Sequence, residues 1–166
     1  MKYKDFLRMR GTVIVREFPP LSPKIPDKKA LKILSRMKPL NESIQHNVIT
    51  DAGIHKIIDD YFLDGSGNKF EYLAVGDDST AASTSDTALG NEVFRKLVTY
   101  SWRDTKTFKT STYIGTTEGN GYTFKEVGLF DASVNGTLLN HAIITSTTKD
   151  NTKTITIDIY IELSEV

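Results

Sequence analysis

Thr154-Ile155-Thr156-Ile157-Asp158-Ile159-Tyr160-Ile161-Glu162-Leu163 alternates without a break. In an extended chain, Ile155, Ile157, Ile159, Ile161 and Leu163 fall on one side, with Thr154, Thr156, Asp158, Tyr160 and Glu162 on the other. One dry face and one wet face suit an antiparallel strand whose sheet packs on a second layer. Working back from this strand, 70–75, 91–101, 106–114, 123–130 and 137–147 also read as strands. They are separated by turns rich in Gly, Asn and Asp, and GTVIVREF over 11–18 adds a shorter run. Six or seven such strands predict a mainly β protein, an antiparallel β-sandwich with one or two short helices packed against it.

Two helices stand out. Over 27–38, Ala30, Ile33, Leu34 and Met37 recur at helical spacing beside several cations, and Pro39 stops the run. Thr50 and Asp51 offer N-cap oxygens to a second helix ending near Leu63, at the turn Asp64-Gly65-Ser66-Gly67-Asn68. Its Ile54, Ile57, Ile58, Tyr61 and Phe62 form one apolar stripe, expected to face the core.

The 166 residues carry no net charge, but the first 38 hold eleven Lys/Arg against three Asp/Glu, while the rest is acidic. With four prolines between Pro19 and Pro26, this reads as an extended basic N-terminal arm over 1–43 leading into a sandwich domain over 44–166. Arg16, Lys28, Lys29, Lys32, Arg36 and Lys38 are its candidate docking residues, facing nucleic acid or the acidic body of a neighbour. A membrane surface is a lesser alternative for the basic helix.

Chemistry leaves little trace. The chain has no cysteine, and His46, His55 and His141 show no metal-ligand spacing. The 64–75 stretch has Lys69 and Val75 where a calcium loop of the EF-hand type needs glycine and glutamate. No GxSxG, phosphate-loop or dinucleotide motif is present, so no catalytic, cofactor or metal residue is nominated. The N-terminal segment lacks the apolar core of a secretory signal, and no run is long and apolar enough to span a membrane. An acidic body with few cations among its aromatic residues argues against nucleic acid. A carbohydrate site on Trp102 and the tyrosines is the more plausible ligand-binding alternative.

Four ordered segments carry a resemblance: His46-Asn47-Val48-Ile49-Thr50-Asp51-Ala52-Gly53, Leu73-Ala74-Val75-Gly76-Asp77-Asp78-Ser79-Thr80, Asp86-Thr87-Ala88-Leu89-Gly90-Asn91-Glu92-Val93-Phe94-Arg95 and Glu126-Val127-Gly128-Leu129-Phe130-Asp131. Together they resemble structural proteins of tailed bacteriophages found around tail fibres and baseplates. The resemblance implies a non-enzymatic virion protein without cofactor, made in the host cytoplasm. Its implied partners are other copies of itself and other virion proteins. A tail or baseplate adaptor or fibre anchor comes first; a capsid decoration or head-fibre protein and a module recognising host surface glycans are the alternatives. In this frame Gly53 allows close packing of the second helix, Gly76 a sharp strand exit, and Leu89 plugs the core from a loop that Asp86 caps. Glu126, set in an apolar strand, needs a cation if buried, and Arg95 is the candidate.

Overall fold

The computed structural model describes residues 7–63, 65 and 67–165, so the turn residues Asp64 and Ser66 lie outside it. Its strands are β1 (Leu7–Phe18), β2 (Asn41–Ile49), β3 (Tyr72–Gly76), β4 (Glu92–Leu97), β5 (Tyr100–Asp104), β6 (Thr107–Ile114), β7 (Thr123–Phe130), β8 (Leu138–Thr148) and β9 (Thr154–Glu165). The helices are α1 (Asp27–Leu34) and α2 (Asp51–Ile58), the latter running on into a π-helical turn, Asp59–Leu63. All strand pairings are antiparallel, in one nine-stranded sheet ordered β4-β3-β7-β8-β2-β1-β9-β6-β5.

The sheet curls so that its two halves face each other, and two hand-over points make the curl. Residues 41–47 of β2 pair with β1, while Val48 and Ile49 pair with β8. On the opposite side, the Val98 amide donates to the Glu71 carbonyl and the next amide, Thr99, to that of Ser111 in the other half. The stretch 91–101 is therefore two strands turning a corner, not the one expected, with the buried Val98 as its pivot.

Between the halves, Ile155, Ile157, Ile159 and Ile161 of β9 meet Val13 and Val15 of β1, Leu73 and Val75 of β3, Val127 and Leu129 of β7, and Ala142 and Ile144 of β8. Burying each such side chain contributes roughly 1.5–3 kcal/mol. The alternation of β9 thus fulfils its expected role up to Ile161, whereas Leu163 is 37% exposed at the rim.

Residues 7–18 are a central strand, not part of an extended arm. β1 lies between β2 and β9, matched to β9 from Leu7 opposite Glu165 to Phe18 opposite Thr154. The alternating valines enter the core, and the cation at Arg16 is matched by Glu42 and Asp158 across the two neighbouring strands. The proline-rich stretch then folds back. Leu21, Ile25, Ala30, Leu31 and Leu34 pack on Phe18 and Tyr113, and Lys96 bonds to Asp27 to hold α1 against β4. α1 ends at Leu34, before the expected Lys38, as the chain tightens into turns with Arg36 and Met37 donating three residues back.

The start of α2 follows the sequence closely. Thr50 Oγ1 accepts the Gly53 amide, and a Cβ at Gly53 would lie 2.7 Å from Leu139 Cα, so only glycine lets this turn rest on β8. The stripe beyond it departs from expectation. Ile57 packs on the core, but Ile54 and Ile58 are exposed, as are Tyr61, Phe62 and Leu63 in the π turn. Helical period shows that a face is apolar; it does not show what covers it.

Deletion of residues 1–38 is expected to abolish cooperative unfolding in a denaturant titration, because it strips the shared partner of β2 and β9. Ile157→Ala in the full chain should instead keep two-state unfolding and lose about 2–5 kcal/mol.

Candidate functional site

The outer face of the half formed by β3, β7 and β8 is covered by the loop 77–91. Leu89 dips from it into a small apolar cluster with Ala74, Phe130 and Leu138. Close contact there is possible because Gly128 presents no Cβ, which would otherwise lie 2.6 Å from Leu138 and 3.0 Å from Leu89. This is the plug expected for Leu89.

Beside it lies the most constrained polar group of the fold. Glu126 is fully buried, and its carboxylate accepts the backbone amides of Gly90 (2.9 Å) and Asn91 (2.8 Å). Its Oε2 also meets His141 Nε2 at 2.8 Å, while His141 Nδ1 meets Asp86 Oδ2 at 2.7 Å. Each ring nitrogen of His141 thus lies within hydrogen-bond distance of a carboxylate oxygen. Asp86 also accepts the Ser83 amide (2.8 Å), capping its own turn. Burial raises the pKa of Asp86, but the Ser83 bond and His141 outweigh it, leaving the carboxyl below its ordinary value. The chain Glu126–His141–Asp86 therefore ties the loop to the sheet at its middle, Asp86, and at its C-terminal end, Gly90 and Asn91.

Arg95 is not the partner of Glu126. It bonds to Glu92 and to the carbonyls of Ala132 and Asn135, and its guanidinium stacks 3.8 Å above the Phe130 ring. It pins the 131–137 turn instead. His141 was missed because strand register, not sequence spacing, brings β8 beside β7. A usable signal existed: within the apolar part of those two strands, Glu126 and His141 are the ionisable residues.

Of the other nominated residues, Arg16 lies on the outer face of β1 in its two ion pairs. Lys28, Lys29 and Lys32 are exposed on α1, and Arg36 and Lys38 are exposed just after it. They form one basic surface on the body of the protein. His55 is exposed on α2. Among the described residues, no three His, Asp or Glu side chains gather as metal ligands, and no helix is long and apolar enough to cross a membrane.

The family model for the N-terminal domain of the phage tail-collar fibre protein matches residues 44–166. The chain belongs to this family. It is thus a structural protein of the phage tail and a component of the virion. No curated protein and no solved structure matches it. The match begins inside β2, so the family region receives its central strand, β1, from the residues preceding it. All four segments carrying the resemblance lie in the matched region, and in this tail-fibre domain three of them, from β3, the 77–91 loop and β7, build the latch around Glu126.

His141→Ala is expected to destabilise the protein by roughly 1–3 kcal/mol, since it leaves a buried oxygen of Glu126 without its imidazole hydrogen-bond partner. A depressed carboxyl stabilises fully above its unfolded pKa of ~3.9 and loses that contribution as pH falls through its lower folded value. Thermal melts should therefore show the Asp86 contribution intact at neutral pH and lost on acidification below about pH 4. Asp86→Asn should weaken that dependence.

Proposed function

We propose that the chain is an adaptor or fibre-anchoring protein of the phage tail, acting by assembly with other copies of itself and with other tail proteins, without catalysing a reaction. The observation that carries this reading is the apolar face of α2 and its π turn, which the described residues leave exposed. Phe62 is 78% exposed and Leu63 75%, beside exposed Ile54, Ile58 and Tyr61. A contiguous apolar patch of this kind costs solvation free energy in a lone molecule and regains it when a partner covers it.

The basic surface of Lys28, Lys29, Lys32, Arg36 and Lys38 supplies a second contact, suited to an acidic neighbour and weakened by salt. In place of a reaching arm, this reading gives α1 a docking face carried on the folded body. A stable interface buries about 800 Å² on each partner, more than one short helix offers, so several elements contribute.

The double substitution Ile58→Asp with Phe62→Asp tests the reading. Both side chains are exposed, so the melting temperature should stay close to that of the original protein. Self-association in sedimentation velocity, or incorporation into particles in a complementation assay, should fall at least tenfold. Unchanged assembly would refute the role given to this face.

A further inference from the structure

Lys149 follows β8 directly and is among the largest side chains fully withdrawn from solvent. A cation taken out of water is ordinarily matched by an anion in contact, because its hydration must be replaced. Here the amine donates to two uncharged oxygens, Oδ1 of Asn120 at 2.8 Å and the Asp150 carbonyl at 2.6 Å. Burial lowers the pKa of Lys149 below its ordinary value, although the charges of Asp150 and Glu118 work against it. The neutral amine, whose lone pair is free, gains population accordingly.

The backbone holds this amine against one amide. Asn120 lies in the turn that leads into β7, whose Thr123 is opposite Thr148 of β8. The ladder continues past that pair: the Lys149 amide donates to the Tyr122 carbonyl and the Gly121 amide to the Lys149 carbonyl, both at 2.9 Å. Gly119 and Gly121, both at positive φ, let the turn bend tightly on either side of Asn120. Asn120 Nδ2 donates to the Thr116 carbonyl at 2.8 Å, which aims Oδ1 at Lys149. Glu118 braces the turn from its other side, bonded to the Gly115 amide and to Lys96, each at 2.8 Å.

We infer that Lys149 and Asn120 of the same chain join in an isopeptide bond. Nζ of the neutral amine attacks Cγ of Asn120, forming the Nζ–Cγ bond. The Cγ–Nδ2 bond breaks, and Nδ2 leaves as ammonia after taking one proton from Nζ. Glu118 and Asp150, whose charges act on Lys149, are the carboxylates that can carry this proton. No oxidant, cofactor or second molecule enters the balance. Asn120 is exposed, so the ammonia escapes directly to solvent. Holding the two groups together in the fold removes the entropic cost of bringing amine and amide into contact. The step occurs once per chain, a self-modification without turnover, and ties the turn before β7 to the end of β8. It goes beyond the assembly reading and does not depend on the α2 face.

Mass spectrometry of the purified full chain, fresh and after prolonged incubation in alkaline buffer, tests the bond. The intact mass should fall by about 17 Da, the mass of one ammonia lost in the acyl transfer. Tryptic digestion should then yield a branched peptide joining the segments that carry Asn120 and Lys149. Lys149→Met and Asn120→Ala should each keep the full sequence mass. Asn120→Ala alters an exposed residue, so it should still fold, with a melting temperature lower by roughly 5–15 °C for want of the cross-link. An unchanged mass after the alkaline incubation would overturn the inference. So would the same mass loss without a branched peptide, the mark of a succinimide at Asn120-Gly121, or a mass loss that persists in Lys149→Met.

Discussion

The interior depends on β9 being flanked on both sides. Its four buried isoleucines face the opposite half of the sheet, and its backbone groups are taken up by β1 and β6. Backbone donors and acceptors withdrawn from water must find partners, and in this sandwich they do so only if β1 is in place. Once β1 is set, β2 pairs with it and carries the chain to the second half, and the Val98–Thr99 corner closes the opposite side. The front of the chain is therefore a structural necessity for this fold, although the family match starts within β2.

A second constraint, the buried carboxyl group of Glu126, organises the covered face. An ionised carboxylate out of water is tolerable only when hydrogen-bonded and paired. Here it draws three loop amides, those of Asp78, Gly90 and Asn91, and an imidazole to itself, and the loop's own Asp86 takes the far side of the ring. Leu89 adds apolar contact to the same closure. Among the described residues, the opposite outer face is covered at one end by α1 and its lead-in in place of such a loop.

Regular strands were legible where the buried side is apolar, as in β9 and β7. β2 was not, because its inward positions, Ser43, Gln45 and Asn47, are polar while Ile44 points outward, an inversion of the expected pattern. Gly11 opposite Asn47 gives that amide its room, a fit no single strand reveals. Charge counting suggested a free arm because it cannot see that Arg16 meets Asp158, 142 positions away. For the same reason a partner for Glu126 could be anticipated but not assigned. The helix cap at Thr50 and the loop plug, being local in sequence, were readable; the exposed α2 face depends on tertiary placement and was not.

The register of β1 against β9 also sets how the domain responds to mechanical load. Leu7 sits opposite Glu165, so the two strand ends emerge together at one rim. Antiparallel hydrogen bonds run across the strands, and tension drawing these ends apart would break them one pair at a time, like a zipper. A load applied instead through the flank of the sandwich would stress many bonds at once. For a part of a tail, the side on which neighbours hold this domain therefore decides whether it yields or stands firm.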